Sequence, residues 1–244
     1  MKAMIFAAGL GTRLRPLTDS MPKALIRVGG LALVDILIEK FVDAGVREIV
    51  VNVHHLGGMI VEHLLAAYGG DGRVRIRISD ERDCLLDTGG GLRKAAPLLA
   101  GGGSFVVHNV DVLSNVDLKR LYEQGVGKVA GLLVSERFSR RFLLFDDDMR
   151  LVGWTCVATG EVRTPFAGLD VKACKRLAFS GIQVLSPGIL PYLERMPKCF
   201  SIIDFYLSVC KDVPIYGVMQ PGFRMLDVGK PSTLQAAESF INNL

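Results

Sequence analysis

An apolar run, Met4-Ile5-Phe6-Ala7-Ala8, ends on two glycines one residue apart, Gly9 and Gly11, and this junction constrains the fold more than any other stretch. An unbroken apolar run of this length reads as a strand buried on both faces, the habit of parallel sheets covered by helices. The glycines let the backbone turn tightly where the strand ends and aim its N–H groups at a ligand, which makes a cradle for phosphate oxygens. Arg13, Arg15 and Lys23 follow, enough positive charge to hold a triphosphate. Pro16 and Pro22 argue against a helix through the stretch, so these cations are expected on a shaped loop.

Two familiar phosphate loops do not fit. The dinucleotide fingerprint needs a third glycine where Leu14 stands, and the Walker loop needs a Gly-Lys-Ser/Thr that does not follow Gly11. The stretch Ala7-Ala8-Gly9-Leu10-Gly11-Thr12-Arg13-Leu14-Arg15-Pro16-Leu17-Thr18, with Pro22-Lys23 after it, instead resembles the signature of the sugar-1-phosphate nucleotidyltransferases. That signature reads Ala-Ala-Gly-x-Gly-Thr-Arg-Leu-x-Pro-Leu-Thr, then Pro-Lys.

The 244 residues suit one α/β domain, and with half of them hydrophobic a sizeable core can be buried. No apolar run reaches the roughly 18–20 residues that a bilayer span needs. Lys2 before a short strand is not a signal peptide. Cys84, Cys156, Cys174, Cys199 and Cys210 contain no Cys-x-x-Cys pair, so reduced thiols in a cytoplasmic protein are expected. A net charge of +4 is too small and too scattered for nucleic acid. The expected partners are small anionic molecules, taken by a monomer or small homo-oligomer away from any membrane.

Periodicity predicts helices over 33–44, 59–68 and 92–99, alternating with strands over 48–53, 73–78 and 104–109. This rhythm predicts a mostly parallel sheet with helices on both faces, its ligands beyond the carboxyl ends of the strands. From about residue 128 the pattern changes to strands over 129–134, 142–145, 151–156, 178–185, 214–219 and 224–228. Helices are expected over 187–196, 202–211 and 232–241. This half reads as an antiparallel extension folding over the cleft. The resemblance makes the whole an α/β, Rossmann-like, GT-A-type, three-layer fold: one domain, 1–244, with a nucleotide-binding half (1–127) and a sugar-binding half (128–244). It leaves no room for the left-handed β-helix of some relatives, so no acetyltransferase activity is expected.

Asp111 follows the strand ending at Asn109, where a carboxylate can ligate Mg²⁺ together with substrate phosphates. The family usually has Gly-Asp here; Val110 replaces the glycine. Asp227 lies between apolar neighbours on a short strand, a costly place without a partner, and a metal shared with Asp111 would supply one. The resemblance implies the same pairing, because relatives carry Asp-x-Gly-x-Pro at this point. Asp87-Thr88-Gly89-Gly90-Gly91 has a backbone able to lie flat against a planar ligand, and in similar proteins this segment packs on the nucleobase. Glu81 could accept a base N–H, although a solvated loop residue is its plainer reading.

The resemblance places the nucleotide on Ala8, Gly9, Gly11, Thr12, Arg13, Lys23, Glu81, Asp87, Thr88 and Gly89. It places the sugar on Asn109, Ser180, Gly181 and Asp204, and the reactive groups are Arg13, Lys23 and Asp111. The implied reaction joins an NTP and a sugar 1-phosphate into an NDP-sugar and pyrophosphate with Mg²⁺, for cell-envelope sugar metabolism. N-acetylmuramate 1-phosphate uridylyltransfer is preferred over mannose or heptose 1-phosphate guanylyltransfer. A catalytically silent nucleotide-sugar regulator is the alternative from another class, and intact Arg13, Lys23, Asp111 and Asp227 speak against it.

Overall fold

The computed structural model describes residues 1–243. Strand β1 (Lys2–Phe6) runs into the glycine loop, a single helical turn α1 (Leu17–Ser20) and a small hairpin of β2 (Arg27–Val28) and β3 (Leu31–Ala32). Then come α2 (Leu33–Asp43), β4 (Glu48–Val53), α3 (Gly57–Tyr68), β5 (Arg75–Asp80), α4 (Asp87–Leu99) and β6 (Phe105–Asn109). Next are β7 (Val112–Ser114), α5 (Leu118–Gly125), β8 (Ala130–Ser135), β9 (Arg141–Phe145), β10 (Leu151–Cys156), β11 (Glu161–Arg163) and β12 (Lys175–Leu185). They are followed by α6 (Leu190–Leu193), α7 (Ile202–Val209), β13 (Ile215–Val218), β14 (Met225–Asp227) and α8 (Pro231–Asn242).

Side chains of β1 alternate between two cores, as the period of a strand requires. Ala3 and Ile5 pack with α2, α3, α5 and α8; Met4 and Phe6 pack with α4, α6 and α7. A strand apolar on both faces therefore sits in the middle of three layers, α/β/α. The central strands β6, β1, β4 and β5 are parallel. β12 then joins β6 antiparallel, and its far edge pairs with β9 at its start and β8 along the rest. β13 lies parallel to β8, a departure from the antiparallel extension expected of this half. β7 and β14 form a separate two-stranded ladder.

Most boundaries fall within a few residues of those the periodicity predicts. The helix expected from Leu92 starts instead at Asp87 and takes in the whole glycine run. One helical turn, α1, fits between the two prolines. β7, α5 and β11 carry too short an apolar pattern to stand out.

His108, on β6, is buried with its ring edge-on to Phe41 at 6.1 Å between centroids. Burial lowers its pKa from 6.5 to about 4, with Lys40 adding to the effect and the Asn109 carbonyl and Asp111 opposing it. The folded value is depressed, so this stabilisation is complete above the unfolded pKa and is lost as pH falls from 6.5 towards 4. The loss amounts to on the order of 3 kcal/mol. Urea unfolding measured between pH 7 and pH 4 should show the decline in the wild type and a flatter profile in His108→Gln; equal slopes would assign the decline to other groups.

Candidate active site

β1 and β6 lie side by side with Phe6 opposite Asn109, so the segments that follow them leave the sheet at the same level. The Val110 N–H donates to the Phe6 carbonyl at 3.1 Å. Val110 itself, standing in place of the usual glycine, is buried in the core at the floor of the cleft. Asp111 comes next. The β7–β14 ladder sets Asp227 opposite Val112, and the Val228 N–H donates to the Asp111 carbonyl at 2.8 Å. Two carboxylates far apart in sequence thereby share one end of the sheet.

Three cations gather on this pair. Lys23 is only 9% exposed, and its Nζ donates directly to Asp111 Oδ2. Arg13 packs over Gly229, where a Cβ would stand 2.7 Å from Arg13 Nη2. The charges of Lys23, Arg13 and Arg137 all act on Asp227. The carboxyl of Asp227 is raised nonetheless, first by the protein surrounding it and then by the charge of Asp111. The residue is nevertheless exposed to water. Its carboxylate accepts no hydrogen bond among the described residues, so it retains its full capacity for an added cation.

The glycine loop forms the facing wall. Gly11 has φ +65°, and a Cβ there would come 2.7 Å from Thr18 Cγ2. Thr18 donates to the Gly11 carbonyl at 2.9 Å and the Leu14 N–H does so at 2.8 Å, which fixes the turn. Among the described residues, no backbone N–H from Ala8 to Arg13 is bonded within the protein. The loop is therefore a rim of free donors ending in a guanidinium. Gly9, Gly11, Thr12, Arg13, Lys23, Thr88, Asn109 and Asp111 line one cleft of about 410 Å³. A larger groove of about 500 Å³ runs between α3 and β5 at the open sheet edge, remote from both acids.

Several predicted ligand residues lie elsewhere or are already engaged. Glu81 is not a solvated loop residue: it is 0% exposed, beneath α4, and cannot reach a base. Its Oε1 accepts from Asn52 Nδ2 at 2.7 Å, and Asn52 Oδ1 accepts from the Ala7 N–H at 2.7 Å. Burial raises the Glu81 carboxyl, opposed chiefly by the Asn52 hydrogen bond. Gly89 does not lie open to a nucleobase either. It is buried in the first turn of α4 against Phe200, and its N–H donates to the Phe200 carbonyl at 3.0 Å. Asp87, at φ +60°, accepts from the Thr88 N–H at 2.6 Å, so its carboxylate is engaged locally.

On the opposite side, Ser180 is 2% exposed and its Oγ donates to the Leu133 carbonyl at 2.7 Å, which withdraws it from any sugar. Gly181, with φ +77°, lies at the register shift between β12 and β8, and a Cβ there would meet Asn109 Nδ2 at 2.5 Å. The side chain of Asn109 thus stands against the bulged backbone beside the cleft. Asp204 sits in the first turn of α7, paired with Arg163 Nη1 at 2.5 Å and accepting from Ser201 Oγ at 2.7 Å. Arg163 in turn stacks on Trp154 at 4.3 Å. Sequence reasoning missed Asn52 and Arg137. A polar residue within the apolar run of β4 was the available signal for Asn52; nothing in its neighbourhood marked Arg137.

Residues 2–135 match the family model described as nucleotidyl transferase. The chain is 35% identical over 243 residues to the N-acetylmuramate alpha-1-phosphate uridylyltransferase of Caulobacter vibrioides, covering 97% of this chain and 95% of that one. It is 29% identical over 251 residues to the mannose-1-phosphate guanyltransferase of Saccharomyces cerevisiae, covering all of this chain and 66% of that longer protein. HddC from Yersinia pseudotuberculosis superposes with a TM-score of 0.77 at 21% identity, over 98% of this chain and 99% of that one. A putative glucose-1-phosphate thymidylyltransferase from Bacillus anthracis, in complex with a sucrose, gives 0.82 at 18%, over 100% and 96%. These two likenesses show the mixed α/β, Rossmann-like fold.

Proposed function

The chain belongs to the nucleotidyl transferase family and is a sugar-1-phosphate nucleotidyltransferase, and from that premise we propose that it transfers uridylate to N-acetylmuramate 1-phosphate, in the cytoplasm, for cell-envelope sugar metabolism. The observation that carries this reading is the near full-length identity of 35% to a uridylyltransferase of that specificity. The cleft is compatible with it. The glycine loop, Arg13, Lys23 and Asp111 line one space of about 410 Å³, with Asp227 at the same end of the sheet.

In the proposed reaction a phosphate oxygen of the sugar 1-phosphate attacks the α-phosphorus of the NTP. The bond to the β-phosphate breaks and pyrophosphate leaves with its electron pair. The attacking oxygen is already anionic, so no strong general base is required. The protein's task is to bring two anions into line and to stabilise charge on the reacting and leaving phosphates. Lys23 would neutralise the α-phosphate. Arg13 with the N–H groups of Gly11 and Thr12 would hold the leaving pyrophosphate.

The side chains fit a magnesium ion. Among the described residues no group of three or more His, Cys, Asp or Glu is arranged to hold a metal. Mg²⁺, however, typically takes one or two carboxylates and completes its shell with substrate phosphates and water. Asp111 and Asp227 would hold it. When bound, the ion supplies charge neutralisation and orientation to the phosphates.

The deciding experiment is a pyrophosphate-release screen of four NTPs against a panel of sugar 1-phosphates, with Mg²⁺ and with a chelator. UTP with N-acetylmuramate 1-phosphate should be the best pair, and the chelator should abolish the signal until Mg²⁺ is restored. A preference for GTP with mannose or heptose 1-phosphate would replace this reading with guanylyltransfer. Nucleotide-sugar binding without turnover would indicate a regulatory protein.

A further inference from the structure

Arg137 stands outside every role assigned above. It belongs to the turn between β8 and β9, and its Nη2 donates to the Phe179 carbonyl at 2.9 Å, two residues before the Gly181 bulge. The backbone of that bulge stands against Asn109, which lines the cleft, so Arg137 is held beside the cleft on the β12 side, and its charge also acts on Asp227. Surrounding protein lowers its pKa, and Asp227 opposes that shift. Arg163, another arginine of the second half, is committed to Asp204 and Trp154. Arg137 is therefore a cation that the second half holds beside the cleft on the β12 side, while Arg13 and Lys23 come from the glycine-loop side.

The proposed reaction requires two phosphorylated substrates to meet, and each needs its own positive partner. A guanidinium carries five N–H donors in a flat fork, of which Phe179 takes one. The rest can match two oxygens of one phosphate. Arg137 is exposed, so the rest of its fork is open to an incoming anion. We propose that Arg137 binds the phosphate of the sugar 1-phosphate on the β12 side of the cleft and so sets its line of approach to the α-phosphorus. This rests on the nucleotidyl-transfer reading of the cleft, without depending on which sugar is used.

The test is calorimetric titration of wild type, Arg137→Gln and Arg137→Lys with N-acetylmuramate 1-phosphate, with mannose 1-phosphate and, separately, with UTP, all in Mg²⁺. Arg137→Gln should weaken whichever sugar 1-phosphates the wild type binds by about 10- to 100-fold, the usual consequence of losing a charged hydrogen bond. Affinity for UTP should stay within about twofold of the wild type, and Arg137→Lys should recover only part of the loss, since a point charge lacks the fork. In turnover the same split should appear as a raised KM for the sugar 1-phosphate alone. Unchanged sugar-phosphate affinity, or an equal loss for UTP, overturns the assignment. Failure of the uridylyltransfer reading would show differently, as a wild type that prefers another NTP or sugar while the variants still lose phosphate affinity. A wild type that binds no sugar 1-phosphate sinks both.

Discussion

Asp111→Asn should lower kcat for pyrophosphate release by on the order of 10²–10³, the usual size of one lost preorganised electrostatic contact at a reacting phosphate. Lys23→Ala should do the same. The two side chains are bonded to each other at the base of the cleft, and both are largely shielded from water. Removing one partner of such a pair leaves the other as a poorly solvated charge, which itself destabilises the fold. A drop in activity alone would therefore be ambiguous. The double variant Lys23→Met/Asp111→Asn separates the effects: its melting temperature should recover relative to Lys23→Ala, because the stranded charge is gone, while turnover stays lost. Wild-type-like turnover in either single variant would refute the roles given to these residues. Recovery of turnover in the double variant would reduce the pair to a structural one.

The largest effect on stability is expected at Asn52. Its side chain accepts from the Ala7 N–H, where the glycine loop begins, and donates to Glu81, which is fully buried under α4. A Cβ at Gly91 would stand 2.7 Å from Glu81 Oε1 and 2.9 Å from Asn52 Nδ2, so the helix lies directly on this pair. Asn52→Leu leaves the buried Ala7 N–H without a partner and strips the buried Glu81 carboxyl of its side-chain donor. Each such group costs roughly 1–3 kcal/mol, and more if charged, so a total on the order of 4 kcal/mol is expected. For a chain of this length each 1 kcal/mol lowers Tm by about 2–4 °C, so thermal unfolding should shift down by about 8–16 °C. Adding Glu81→Leu should restore part of the loss by removing the stranded carboxyl. A shift of under about 2 °C would mean that water or another group satisfies both atoms.

The same two residues show where the sequence stops being legible. The strands that build the sheet centre advertise themselves, because a strand buried on both faces has little choice but an unbroken apolar run, as in Met4-Ile5-Phe6 and Ile49-Val50-Val51. Glu81 stands among Asp80, Arg82 and Asp83 and looks solvated. Its partner lies 29 residues away on a neighbouring strand, and only the fold brings them together. The run Gly89-Gly90-Gly91 reads as a loop because glycine is a poor helix former. Packing overrides that preference: at Gly89 and Gly90 a side chain would collide with Phe200 and the Lys198 carbonyl, so only glycines let α4 settle this close. Ser180 looked available for a sugar, yet it lies in the sheet interior, where its hydroxyl is taken by backbone. Asp111 is visible as an acid just past a buried strand and Asp227 as one between apolar neighbours; their meeting depends on a ladder of three residues per strand, too short to leave a periodic trace.

That ladder also ties the two ends of the sequence to one site. The rim of donors that would grip the triphosphate is encoded in the first two dozen residues, whereas the strand that delivers the second carboxylate is Met225–Asp227. The phosphate cradle and half of the proposed metal seat are thus encoded at opposite ends of the chain. Under the proposed reading, transfer requires the closing strand to be docked on β7, so a product terminated before Met225 is expected to show no turnover.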